Sequence, residues 1–261
     1  MTVEYARRGL VGVLTPQANT TVEPEFNILW PAGVAMINAR LMSGQKTLER
    51  RLLEYFDQLD RSLDQFANAP VGAFALACTG ASYLVGAVVE QQTIQRLEQR
   101  IGVPFVTAGR AVQQALNVLG ATRIALVSPY PVALTESSVT YWRELGFDVT
   151  SVVHVGTTSD NFHPIYSIRA SGAREALDSL GDVPFDAVLM LGTGMPTLQT
   201  ILDRPAVRGA PVMSCMLCLG WAAAKAVTGE SPDRASIRDW IGGSHWRQRF
   251  AQHQGLPGSA P

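Results

Sequence analysis

The sequence predicts an α/β protein of two pseudo-symmetric lobes, each a mostly parallel sheet flanked by helices, with a ligand site in the cleft between them. Three observations carry this. Apolar, β-branched runs alternate with helical patterns along the chain, an order that places helices on both faces of parallel sheets. The alternation restarts near residue 121. Finally, two segment pairs match at nearly one spacing. LTPQANTTVE (14–23) parallels VSPYPVALTE (127–136) at an offset of 113 residues, and FALACTGASYL (74–84) parallels VLMLGTGMPTL (188–198) at 114. In the second pair Thr79 matches Thr193, Gly80 matches Gly194 and Leu84 matches Leu198, but Cys78 faces Gly192. Nearly equal offsets point to a duplicated unit.

Taken in order, GLVGVLTP (9–16), GVAMINARL (33–41) and VGAFALAC (71–78) read as strands. Residues 48–67 and 82–101 carry apolar positions at spacings of three and four, the period of a helix face. A strand at 104–108 and a helix at 109–120 close the first lobe, residues 1–120. The second lobe, 121–241, repeats the pattern: strand 123–129, helix 133–145, strand 147–155, helix 168–180, strand 186–191, helix 196–203 and strand 210–214. The chain is expected to cross back between lobes. The Gly- and Pro-rich tail, 242–261, is expected to fray after a last amphipathic turn.

Composition narrows the function. A 47% hydrophobic share against 16% charged residues favours a buried core over a disordered chain. The net charge of −1 offers no basic footprint for nucleic acid or an anionic membrane. No apolar run reaches membrane-spanning length, and the N-terminus lacks a signal-peptide pattern. Three cysteines without framework spacing fit reduced thiols in a cytoplasm. The expected partner is a small molecule or another chain, with a homo-oligomer the expected state.

Ligands of open α/β sheets bind at strand C-termini, so the residues there are the candidates. Cys78 ends an apolar strand before TGAS, which opens the next helix. A helix N-terminus favours a thiolate and an anionic ligand alike, although a lone cysteine is commonly core. Asn19 either caps a helix, as Thr20 or Thr21 also can, or presents an amide to a carboxylate. Tyr130 sits at the matching strand end of the other half, as a site residue or a packed turn tyrosine. Asn161 lies in the polar loop TSDN, where an Asx-turn is the ordinary role, and the neighbouring His163 reads as surface. Cys215 and Cys218 form a lone CxxC that reads as core, since zinc wants four ligands. GTGMPT lacks the spacing of a dinucleotide fingerprint, so no cofactor and no metal are expected.

The stretches TPQANTTVEPE, LACTGASYLVG, VSPYPVALTESSVTYWRELGFDV, TSDN and LGTGMPT together resemble the maleate cis-trans isomerase and arylmalonate decarboxylase branch of the aspartate/glutamate racemase superfamily. The resemblance covers most of residues 9–220. It implies a cofactor-free, two-lobed enzyme acting on a small acid, with one cysteine position contributed by each half. Isomerases of this kind carry cysteine at both positions, and decarboxylases carry one in the second half with glycine in the first. This chain departs from both, with Cys78 first and Gly192 second. On that resemblance Cys78 is the nucleophile or proton donor, and Asn19, Tyr130 and Asn161 hold carboxylate oxygens. Thr79, Gly80, Thr193 and Gly194 offer hydroxyl and backbone donors, and Gly192 leaves room across the ligand. The implied reaction is isomerisation of a maleate-like dicarboxylate. The alternatives are decarboxylation of a substituted malonate, with Cys78 protonating the product, and non-catalytic binding of small acids; a two-base racemase fits least well.

Overall fold

The computed structural model describes residues 3–156 and 164–255. The elements run β1 (Gly9–Pro16), α1 (Val22–Leu29), β2 (Val34–Leu41), α2 (Leu48–Asp57), α3 (Leu59–Asp64), β3 (Ala73–Leu76), α4 (Thr79–Ile101), β4 (Phe105–Thr107) and α5 (Ala108–Leu119). After them come β5 (Arg123–Ser128), α6 (Val132–Glu144), β6 (Asp148–His154), a 3-10 turn (Pro164–Ser167), α7 (Ala170–Asp178), β7 (Ala187–Met190) and α8 (Leu198–Asp203). The chain then forms β8 (Ala206–Val207), β9 (Ala210–Ser214), α9 (Cys215–Thr228), α10 (Arg234–Ile241) and α11 (Arg247–His253).

The strands form two sheets. The first, ordered β2-β1-β3-β4, is wholly parallel. The second is ordered β6-β5-β7-β9-β8, parallel except for the short edge strand β8. Leaving out β8, the two sheets follow one strand order, as a duplicated unit requires. The central strands β1, β3, β5 and β7 are buried along nearly their whole length, because helices cover both faces.

Several boundaries differ from the sequence reading. The helix expected over 48–67 is two, with Gln58 ending α2 and preceding α3. Helix α4 begins at Thr79, not 82, so the TGAS residues form its first turn. It also breaks at Gly86, whose φ of 81° takes the chain out of helical geometry. The break leaves backbone groups without helical partners, and two side chains take them. Glu144 of α6 accepts the Ala87 N–H at 3.1 Å, and Arg110 of α5 donates to the Ala87 carbonyl. The first turn of α4, which carries the site, is thereby set at its own angle.

Helix α9 ties the halves together. It leaves the end of β9 in the second sheet yet packs over β1, β3 and β4 of the first, and against α5. Its apolar first three turns, Cys215 to Ala224, are buried throughout. The Trp30 indole N–H donates to the Gly220 carbonyl at 2.8 Å, fastening α1 to it.

Candidate active site

The C-terminal ends of β1, β3, β5 and β7 meet around one cavity. Seven sequence-predicted residues line it: Asn19 after β1, Cys78, Thr79 and Gly80 after β3, Tyr130 after β5, and Thr193 and Gly194 after β7. Residues far apart in the chain converge because each follows a central strand of its sheet. Asn161 lies outside the described residues, as does His163.

Cys78 occupies the N-cap position of α4 with extended backbone, φ −148° and ψ 92°. Its thiol is 3% exposed. Burial pushes it up to about 12, against the weaker lowering effect of the Ala81 N–H that donates to sulfur. Burial thus works against the thiolate that the helix N-terminus would favour. One backbone donor does not offset the loss of water around an anion. The resting group is a neutral thiol holding its proton.

Asn19 caps the start of α1 and also lines the cavity. Its side-chain oxygen accepts the N–H groups of Thr21 (2.8 Å) and Val22 (3.2 Å), which caps α1. Its amide nitrogen faces the cavity and donates to Thr193 Oγ1 at 3.4 Å. Arg40 steadies the turn by donating to the Asn19 carbonyl at 2.8 Å. Thr193 in turn donates to the Ala77 carbonyl at 2.7 Å, so its hydroxyl joins the two lobes next to Cys78. Tyr130 and Thr79 share a hydrogen bond of 2.9 Å across the same seam. Burial raises the Tyr130 phenol well above its ordinary value, so it stays a neutral donor.

Gly192 is not the open space the sequence suggested. Its φ is +84°, a region that L side chains rarely adopt. A Cβ there would stand 2.7 Å from Ile165 Cδ1 and 3.2 Å from the Tyr130 hydroxyl. The vacancy expected from the missing thiol is filled by neighbours. The loop is further held from α1: Thr21 donates to the Gly194 carbonyl at 2.9 Å, and Glu25 accepts the Thr197 N–H at 3.0 Å.

Sequence reasoning missed two groups. Cys215, read as core, is fully buried but lies directly behind the site, near Tyr83 (3.9 Å) and with contacts to Gly192 and Thr79. Its signal was its place just after a strand, the same place Cys78 holds. The second group is a wall from α2, Leu48, Arg51, Leu52 and Tyr55, joined by Ile165 and Tyr166. Helical spacing shows that the α2 residues share a face; which cleft that face meets is decided by packing.

The arrangement is a buried, protonated thiol opposite neutral hydroxyl and amide donors at the seam of two α/β lobes. Fixed neutral donors of this kind suit an enzyme that must meet developing negative charge. The chain belongs to the arylmalonate decarboxylase family, whose model matches residues 11–237. It is 31% identical to a maleate isomerase of Pseudomonas putida over 150 residues, which are 53% of this chain and 60% of that relative. The solved structure of the maleate isomerase Iso from Pseudomonas putida S16 superposes with a TM-score of 0.74 at 25% identity, covering 82% of this chain and 90% of that one. A Nocardia farcinica maleate cis-trans isomerase mutant, carrying a covalently bound succinylcysteine intermediate, superposes with a TM-score of 0.76. It is 21% identical, with 84% of this chain and 92% of that one covered.

Proposed function

We propose that this protein is a cofactor-independent cis-trans isomerase of a small unsaturated dicarboxylate, maleate-like, with Cys78 as its reacting group. The observation that carries the reading is the buried Cys78 thiol, the one cysteine among the described residues lining the cavity, beside Asn19, Thr79 and Tyr130. The maleate isomerase relatives support it, as does a succinylcysteine trapped on one of them.

In this mechanism Cys78 sulfur bonds to one olefinic carbon while the π pair moves onto the other carbon and its carboxylate. The proton leaving sulfur passes to one oxygen of the enediolate so formed, and the donors around the cavity stabilise the charge left on the other. The former double bond is now single and turns. Collapse of the enediolate expels sulfur, returns the proton to it and leaves the trans alkene. Dividing one high barrier into two lower ones is the gain of the covalent step.

A second reading has its own support. Burial keeps the Cys78 thiol protonated beside the cavity, so a proton is at hand there. The same Cys78 can therefore protonate the enediolate left when a substituted malonate loses carbon dioxide. Incubation of the purified protein with maleate and, separately, with phenyl- and methylmalonate separates the two. Fumarate from maleate, without carbon dioxide from the malonates, is the expected result. Carbon dioxide release without fumarate overturns the isomerase reading, and neither product leaves a binder of small acids.

A further inference from the structure

The cavity wall has two unlike ends. One is the nest of neutral donors around Cys78, built from Asn19, Thr79 and Tyr130. The other is α2, whose Leu48, Arg51, Leu52 and Tyr55 recur at helical spacing on one face. Arg51 is the single charged side chain among the described residues lining the cavity. One of its guanidinium nitrogens donates to the Gln45 carbonyl at 3.2 Å, which anchors the group over the start of α2. Tyr55 and Tyr166 lie within electrostatic reach of both the Cys78 thiol and the Arg51 guanidinium.

We propose that Arg51 is the specificity-determining residue of this site, receiving the second carboxylate of a substrate whose first carboxylate lies in the neutral nest beside Cys78. The inference rests on the isomerase reading for the identity of the reaction, though not for the binding itself. A guanidinium presents paired N–H donors that match the two oxygens of a carboxylate. Removed from bulk water, that pairing is stronger than at an open surface. A four-carbon dicarboxylate carries its charges at opposite ends and meets both walls at once. A malonate carries both carboxylates on one carbon, so its remaining substituent, rather than a charge, faces Arg51. Arg51 thus favours a distal anion over an uncharged substituent of the same length.

The test compares succinate with butyrate, which differ by one terminal carboxylate and contain no double bond for the thiol to attack. Calorimetric titration of the intact protein is expected to show succinate bound at least about tenfold more tightly. In Arg51→Gln that preference collapses through loss of succinate affinity, with butyrate binding unchanged, and Arg51→Lys restores part of it. For maleate turnover, KM rises about tenfold or more in Arg51→Gln while kcat changes less. A succinate-to-butyrate ratio that is the same in wild type and Arg51→Gln overturns the proposal, even where maleate is isomerised. A ratio that collapses in a protein unable to isomerise maleate sinks the isomerase reading and leaves Arg51 as the anion receptor. Both variants are compared at matched thermal stability, and Arg51→Lys keeps the experiment decisive should Arg51→Gln fold poorly.

Discussion

After β3 the chain turns at Cys78 directly into α4, whereas after β7 it runs through Leu191–Thr197 without helix before α8 begins. Both turns start from an apolar strand and the shared Thr-Gly pair, yet their backbones part at the residue where one has cysteine and the other glycine. Cys78 has an extended backbone that any residue adopts, and Gly192 has a φ of +84°. The second turn is also held by the first lobe, through Asn19, Thr21 and Glu25. A duplicated motif has thus divided its labour. One copy presents a thiol to the cavity, while the other is a brace that shapes the cavity and joins the lobes.

The sharpest way to break that division is to remove the reactive atom. Cys78→Ala is expected to lower turnover of the substrate about a thousandfold or more, the scale of losing a covalent or proton-transfer group. Substantial activity in Cys78→Ala would falsify the assignment of chemistry to the first turn.

Restoring a thiol to the second turn tests the brace. Gly192→Cys forces a side chain into left-handed backbone, at about 1–2 kcal/mol. It also forces Cβ against Ile165, an overpacking that costs about 1–3 kcal/mol. A clear drop in Tm without gain in activity is expected. A variant as stable as wild type and more active would mean that the second turn still accepts a catalytic group.

Tyr130→Phe probes the seam between the two turns. It deletes a hydroxyl that bonds Thr79 and faces the cavity. One hydrogen bond to a charged oxygen is worth about 1.5–3 kcal/mol, so kcat/KM should fall roughly tenfold or more. Unaltered kinetics would place the developing charge away from this seam.

A test through pH concerns Glu25, which grips the second turn from α1. Desolvation raises its carboxyl from 4.5 to about 8, against lowering by the backbone N–H groups of Thr197 and Leu198. The folded state therefore holds a proton that the unfolded chain releases above about 4.5. Its contribution to stability is full below that pH and is lost as pH rises through about 8. Thermal melts from pH 5 to pH 8.5 should show wild type losing more stability than Glu25→Gln, which cannot ionise. Parallel curves for the two proteins would remove Glu25 from the account.

Much of this molecule was legible in the chain. Alternating strand and helix patterns, with two matched segments, led to two parallel sheets of one strand order. Strand ends led to Asn19, Cys78 and Tyr130, the family resemblance added Thr79, Gly80, Thr193 and Gly194, and the fold brings all of them to one cavity. These succeed because period and strand-end position are local properties, and a parallel sheet collects its strand ends on one side. Other features are not local. The charge state of Cys78 depends on how completely neighbours exclude water, which a helix N-terminus in the sequence does not reveal. The space at Gly192 depends on Ile165 and on a backbone angle, and glycine alone reports neither. Arg51 and Cys215 belong to segments whose helical pattern was plain, but only packing turns α2 toward the cavity and sets Cys215 behind Gly192. The sequence by itself determined which segments are strands and helices and which small polar turns follow them, because those choices rest on neighbours in the chain. Tertiary structure alone decided what each turn faces, since desolvation, steric room and the approach of a distant cation arise only once the lobes close on one another.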